Sequence, residues 1–450
     1  MNQTKKQQQQ LTFTSGNLIT ALLRFAGPFM LGVLVQNLYG AVDLMVVGQF
    51  ATTADVSAVS VGSQIMNLAT QLVIGFATGI TILVGRDFGA GDYRRLKQVI
   101  STALFLFTAI GIILTALYIV NGSLFIEMAK TPEEAVSATG SYLFLCAMGI
   151  PFITGYNIIN SILTGMGNSK TPFIFIVIAC CINISLDLLL VSVFDMGAAG
   201  AAIATTIAQA GSLLFALIYI KKKGLGFPFS FKEIAFDKSS ALQLTKVGTP
   251  VAVQNVLVGL SFVFITAIVN QMGLPESAAV GTVEKLITFL FVPVTAISTS
   301  VSTACSQNLG ANQPDRAKKA LQYGIIMALI PSVLICLYCQ WFGGTLTALF
   351  TKDSQVVALG ATYLRSYIFD VIMVAFIFCL NGYFNSRGYS WFSLVHSLVT
   401  TFAVRVPAAY LFSRVPDTSL YLIGWAAPLS TLASLALCLP FLLYLFKKKN

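Results

Sequence analysis

The chain has 450 residues, 56% of them hydrophobic and only 10% charged, with a mean hydropathy of +0.82. Soluble globular domains carry about 25% charged residues, so this composition excludes one and points to a polytopic membrane protein. The net charge of +10 arises from 27 Lys and Arg against 17 Asp and Glu, and topology accounts for it without a nucleic-acid partner.

The chain opens on a polar tail, residues 1–17, that lacks the small-residue cleavage site of a secretory signal. A bilayer span needs about 20 predominantly apolar residues. Runs of this kind are expected at 18–47, 56–84, 98–120, 139–164, 171–194 and 198–220, then at 247–270, 277–304, 321–342, 360–384, 392–413 and 420–446. The fold class expected is therefore an all-α membrane protein of about twelve spans. An N-terminal six-helix bundle, 18–220, is followed by a basic linker, 221–246, and a C-terminal six-helix bundle, 247–446. Cytoplasmic loops retain Lys and Arg. With the amino terminus inside, 20 of the 27 basic residues fall on the cytoplasmic side, among them Arg86, Arg94, Arg95, Lys221 to Lys223, Arg316 and Lys447 to Lys449. Both termini of a multi-pass cell-membrane protein are then expected in the cytoplasm.

The second half echoes the first. LVGRDFGAGDYRRLK, from Leu83, recurs as ACSQNLGANQPDRAKK, from Ala304, placing Gly310-Ala311 221 residues after Gly89-Ala90 and Arg316 the same distance after Arg95. Pro28 matches Pro250, Tyr142-Leu143 matches Tyr363-Leu364, Asn160 matches Asn381 and Gly167 matches Gly388, each within a residue of that offset. Two bundles in the same orientation suit a transporter in which cargo binds between them and the bundles rock for alternating access, although a duplicated channel or membrane enzyme would leave the same echo.

Four acids fall within spans: Asp43, Asp187, Glu284 and Asp370. An intramembrane carboxylate is expensive, which makes each a functional candidate. Asp43 and Asp187 have no acid at the matching positions of the second half. Asn183 lies one helical turn before Asp187, on the same face, and Thr205 on the descending sixth span reaches a comparable depth. At a rise of about 1.5 Å per residue, Asp43 lies about 7 Å and Asp187 about 10 Å below the outer end. Oxygen-bearing groups converging at that depth suit a shared proton or a hard cation such as Na⁺; a polar network that merely locks helices together is the competing reading.

Glu284 either lines a cavity or takes part in a structural pair, and the neighbouring Lys285 points about 100° away from it around the helix. Asp370 either faces a cavity or meets Arg365. His396, the only histidine, reads as a packed polar group more readily than as a proton relay. Arg405 must find a partner within the membrane. Pro28 permits a bend in the span that carries Asp43. Cys336 and Cys339 have redox or metal spacing, but they lie in an apolar run with no His nearby and read as packing residues. No metal-spaced histidine cluster or nucleophile motif lies in a span, so an enzyme is not expected and no cofactor is implied.

Together, Pro28, Asp43, the run Asn183-Ile-Ser-Leu-Asp187 with Thr205 after it, the loop Gly165 to Pro172, and Gln307-Asn-Leu-Gly-Ala311 with Arg316 resemble multidrug and toxic compound extrusion (MATE) transporters over nearly the whole chain. The resemblance implies a twelve-helix antiporter that exports cationic lipophilic compounds in exchange for H⁺ or Na⁺. It also implies a cation site at Asp43, Asn183, Asp187 and Thr205, joined in some members by the residue matching Asn160, and a hinge at Pro28. The acids used in the second half by some Na⁺-coupled members do not register on Glu284 or Asp370. Partners are then expected to be small organic cations and the lipid bilayer, with the monomer sufficient. The alternative is a lipid-linked precursor flippase of the same broad superfamily, which needs basic residues in a central cavity; Lys285 and Arg405 are the candidates.

Overall fold

A computed structural model describes residues 13–227, 229, 235–415 and 419–447. Most of the expected tail and part of the linker, with Lys5, Lys6, Lys232, Lys448 and Lys449, lie outside the described residues. Among the described residues all regular structure is helical.

In the first half the helices are α1 Leu18–Phe50, α2 Thr53–Ala90, α3 Tyr93–Val120, α4 Gly122–Met128, α5 Glu133–Gly165, α6 Lys170–Asp187 and α7 Gly197–Lys223. The second half holds α8 Lys238–Val269, α9 Leu274–Leu290, α10 Val292–Gly310, α11 Pro314–Thr347, α12 Ser354–Tyr367, α13 Phe369–Ser386, α14 Ser390–Thr400, α15 Val406–Ser413, α16 Leu420–Gly424 and α17 Ala426–Lys447. Among the described residues eleven helices, or up to twelve counting the pair α9 and α10 as one span bent by 42°, are long and apolar enough to cross a membrane. The bend falls at Phe291, just before Pro293 in the first turn of α10, where proline cannot complete the helical hydrogen-bond ladder.

Local chemistry sets the helix ends. Thr52 and Asp55 form a reciprocal capping box at the start of α2, and Asp92 caps α3 by accepting from the Arg95 amide at 3.0 Å, in each case satisfying amides the helix cannot. The repeat is visible in the backbone itself. After α2, Gly91 has φ 69°, and at the matching place after α10 Asn312 has φ 59°; glycine and asparagine tolerate this left-handed conformation at a helix C-terminus. The closing bonds also recur, Asp92 N to Asp87 O at 3.1 Å and Gln313 N to Asn308 O at 2.8 Å. Gly167 and Gly388 share φ 84°, followed by the bonds Asn168 N to Leu163 O and Tyr389 N to Phe384 O.

Inter-helix crossings depend on small residues, as they do when apolar helices pack in lipid. A Cβ on Gly165 of α5 would meet the Thr81 carbonyl of α2 at 2.6 Å. At the matching crossing the second half has Ser386 of α13, whose Oγ donates to the Ser302 carbonyl of α10 at 3.0 Å.

Two compact units emerge: Met1–Phe13 with Gly27–Ala252, and Thr14–Ala26 with Val253–Asn450. The first helix of each half therefore passes from one unit to the other, α1 at Ala26/Gly27 beside Pro28 and α8 at Ala252/Val253 beside Pro250. Each stem is tied within its unit. Ser300 Oγ donates to the Leu22 carbonyl at 3.1 Å, and Arg316 donates to the carbonyls of Ser15 and Gly16 at 3.0 and 2.8 Å. In the other unit Arg95, which also lies 3.5 Å from Asp87, bonds Gln243 of the α8 stem.

Candidate functional site

In the first unit α1, α6 and α7 bring Asp43, Asn183 and Thr205 into one chain of hydrogen bonds. Thr205 Oγ1 donates to Asp43 Oδ2 at 3.1 Å, and Asn183 Nδ2 donates to Thr205 Oγ1 at 3.5 Å. Asp187 follows Asn183 by one turn, on the same face of α6. Burial is nearly complete: Asp43 is 7% exposed, and Asn183 and Asp187 are 0% exposed.

Four of the oxygens gathered here, Asp43 Oδ1, Asn183 Oδ1 and both carboxylate oxygens of Asp187, have no hydrogen-bond partner. Buried polar atoms are ordinarily satisfied, and two carboxylates without a counter-charge are the costlier case. The groups acting on the pair are each other, Thr205 and Asn183, with no Lys or Arg among them. Such a set of oxygens fits a hard monovalent cation, or a proton shared by the two acids. Among the described residues no group of three or more His, Cys, Asp and Glu side chains could hold a metal ion.

Immediately after Asp187 the helix widens into a π segment, Leu188–Val193, with Phe194 N bonded back to Leu189 O at 3.1 Å. π insertions recur at functional positions because they displace the side chains beside them. Sequence reasoning missed a second polar pair: Gln209 Nε2 donates to the Tyr39 hydroxyl at 3.3 Å. Tyr39 lies one turn before Asp43 and Gln209 one turn after Thr205, so the same two helix faces carry both pairs; the four-residue spacing was the available signal. Tyr39 lies within electrostatic range of both acids. Asn160 accepts from Thr164 at 3.3 Å within its own helix, and no bond joins it to the acids among those described. Pro28 is inside α1, fifteen residues before Asp43.

The remaining embedded groups collect in the second unit. Arg405 Nη2 donates to the Tyr367 hydroxyl at 3.1 Å, and its guanidinium lies 4.2 Å from the centre of the Phe262 ring, close enough for a cation–π contact. Its charge acts on Asp370 and Glu284 as well as on Tyr363 and Tyr367. Arg365 is exposed and offers its carbonyl to Gln340 at 2.8 Å, and its charge is not among those acting on Asp370. Lys285 is exposed. His396 is a packed polar group, bonded through Nδ1 to Ser434 at 2.7 Å and through Nε2 to Asn381 at 2.9 Å. Cys336 and Cys339 are buried free thiols.

Fold and embedded polar sites together define a multi-pass membrane protein of transporter type. The MatE family model matches the chain twice, at residues 28–189 and 250–411, the same duplication that the echoing motifs and backbone turns display. A probable multidrug resistance protein of Bacillus subtilis (strain 168), YpnP, is 31% identical over 89% of this chain and 90% of its own length. Multidrug export protein MepA of Staphylococcus aureus (strain NCTC 8325 / PS 47) is 22% identical over 91% and 90%. Among solved structures, a multidrug resistance MATE family transporter of the MOP superfamily, in its outward-facing conformation, superposes with a TM-score of 0.91 at 20% identity over 97% of this chain and 98% of that one. A MOP superfamily transporter from Pyrococcus furiosus gives 0.92 at 19% identity over 98% and 99%. The chain belongs to the MATE family of multidrug efflux transporters.

Proposed function

We propose that the protein is a secondary antiporter that exports cationic, lipophilic organic compounds in exchange for H⁺ or Na⁺, and that Asp43, Asn183, Asp187 and Thr205 hold the coupling cation. The observation that carries this reading is the set of four unpartnered oxygens around two buried carboxylates with no fixed positive charge. A buried anionic pair of this kind is stable only when something positive arrives, and a cation that arrives and leaves is what exchange requires.

Binding of the cation and of a positively charged compound are mutually linked: each favours the conformation in which the other is released only through a difference in affinity between states. Neutralising Asp43 on α1 and Asp187 on α6 removes the charge of both, and Pro28 supplies the position at which α1 bends. The protein works as a monomer in the cell membrane with both termini in the cytoplasm, transporting rather than transforming its cargo. A lipid-linked precursor would need free basic groups, whereas Arg405 is already engaged by Tyr367 and Phe262.

The test is uptake of a fluorescent cationic dye into liposomes containing the purified protein, driven first by a pH gradient and then by a Na⁺ gradient. One of the two gradients is expected to drive uptake in the unaltered protein and not in Asp43→Asn or Asp187→Asn. Uptake in both variants equal to that of the unaltered protein would contradict the assignment.

A further inference from the structure

The residues of the proposed cation site stand on two hairpins of the first unit. Asp43 lies on α1, which Ala51 and Thr52 connect to α2, whereas Asn183, Asp187 and Thr205 lie on α6 and α7, connected through the π segment and residues 194–196. Within the helices the hairpins meet where Thr205 Oγ1 donates to Asp43 Oδ2 at 3.1 Å. At their turns they meet through Asp55.

Asp55 belongs to the first turn of α2. Its Oδ2 accepts from the amide of Thr52 at 3.2 Å and from the Thr52 hydroxyl at 2.6 Å, which folds the carboxylate back onto the turn that ends α1. Its Oδ1 accepts from the Ala198 amide, in the first turn of α7, at 2.9 Å. That amide is one a helix cannot satisfy for itself. One side chain therefore caps two helices that belong to different hairpins.

Gly197 records how closely they approach. A Cβ there would stand 2.5 to 2.8 Å from the carboxylate atoms of Asp55, and its φ of 53° is a left-handed conformation that glycine adopts without strain. Behind it the connection is closed by Met196 N bonded to Leu190 O at 3.0 Å. The bridge occurs in one half only. Glu276, which stands 221 residues after Asp55, lies over Gly273 at its own helix start; among the described residues no hydrogen bond joins it to Ser419, the counterpart of Ala198, or to Leu420. The half with the acid pair is the half with the bridge.

Thr205 follows Ala198 by seven residues and Asp43 precedes Thr52 by nine, so at about 1.5 Å per residue two arms of about 10 and 13 Å run from the bridge to the site. Site residues must be held within about 0.5 Å of their working geometry. We infer that Asp55 is a positioning residue for the cation site: by tying the α1–α2 turn to the start of α7 it sets the separation of Asp43 from Asn183, Asp187 and Thr205. The inference rests on the antiporter reading for what the site binds.

Three variants separate the bridge from other roles of the same residue. Asp55→Ala removes it; Asp55→Asn removes the charge but keeps an oxygen that accepts from Ala198; Thr52→Ala weakens the cap of α2 and leaves the bridge. Dye uptake into liposomes is measured against the concentration of the driving cation, H⁺ or Na⁺. Asp55→Ala is expected to raise the half-saturating concentration about tenfold, the scale of one charge-assisted hydrogen bond, with its maximal rate kept within about twofold. Asp55→Asn and Thr52→Ala are expected to keep the half-saturation of the unaltered protein. Unchanged half-saturation in Asp55→Ala would overturn the inference, as would a loss in Asp55→Asn or Thr52→Ala equal to that in Asp55→Ala, which would assign the effect to charge or to the cap of α2.

If Asp55→Ala cannot be purified, Gly197→Ala decides, because its Cβ displaces the carboxylate and leaves the charge in place; unchanged half-saturation there would overturn the inference. Failure of the unaltered protein to exchange dye would sink the antiporter reading alone. Hydrogen exchange then judges the bridge: the segments carrying Asp43 and Thr205 must exchange faster in Asp55→Ala than in Asp55→Asn, and equal exchange would overturn the positioning role.

Discussion

The fifth and eleventh spans stand at matching places in the repeat, and each contains a π segment beside an ionisable residue. In the fifth span the segment follows Asp187, which faces Asp43, Asn183 and Thr205 with its carboxylate oxygens unpartnered. The eleventh places Arg405 at the end of its segment, bonded to the Tyr367 hydroxyl and covered by the Phe262 ring. One scaffold therefore holds a pair of acids beside the segment in one unit and a fixed guanidinium beside it in the other. A duplicated fold can keep its turns, caps and crossings while the charge at a single turn decides whether a cation is covalently supplied or must be borrowed from solution.

The sharpest way to break that contrast is to neutralise the first unit. Asp187→Asn is expected to reduce exchange at least about 100-fold, since the site loses a charge that differs between transport states, while leaving the fold intact or raising its melting temperature because an uncompensated buried carboxylate is gone. Measuring dye exchange and thermal unfolding on the same preparation checks both. In the second unit the sign reverses. Arg405→Ala leaves the Tyr367 hydroxyl without its partner and uncovers the Phe262 ring, and is expected to cost about 1–3 kcal/mol, read as a loss of melting temperature.

A packing contrast follows at smaller scale. Gly165→Ser would bring its Cβ to 2.6 Å from the Thr81 carbonyl, although serine is what the second half uses at Ser386. A destabilisation of about 1–3 kcal/mol is expected, with Ser386→Gly costing about 1 kcal/mol for its lost hydrogen bonds; denaturation of the two variants compares them. Smallest is Tyr39→Phe, which removes a hydroxyl bonded to Gln209 but no charge. It is expected to change the apparent affinity for the coupling cation by about two- to tenfold, the range of one neutral hydrogen bond, as measured from the cation dependence of dye uptake.

Much of this was legible in the chain. Apolar runs of bilayer length announce the helices, and the 221-residue echo from Arg95 to Arg316 announces the duplication. Asp43, Asn183, Asp187 and Thr205 could be grouped because intramembrane acids are rare and helical rise converts sequence position into depth. What could not be read was pairing between distant helices. Nothing in the spacing of Arg405 names Tyr367 and Phe262 as its partners. Such neighbours are chosen by helix rotation, and a π segment shifts that rotation by one residue where no periodic pattern records it. The stems Leu18–Ala26 and Lys238–Ala252 were equally hidden, since an apolar helix carries no mark of the unit against which it packs.

The most direct measurement is cation displacement from the purified protein in detergent: add an organic cation such as tetraphenylphosphonium, and record released H⁺ with a pH electrode and released Na⁺ with a radioactive tracer. The unaltered protein and Asp370→Asn are expected to release about one coupling cation per chain, and the double variant Asp43→Asn with Asp187→Asn to release none. Release that persists in the double variant and disappears in Asp370→Asn would place the exchangeable cation in the second unit and contradict the account.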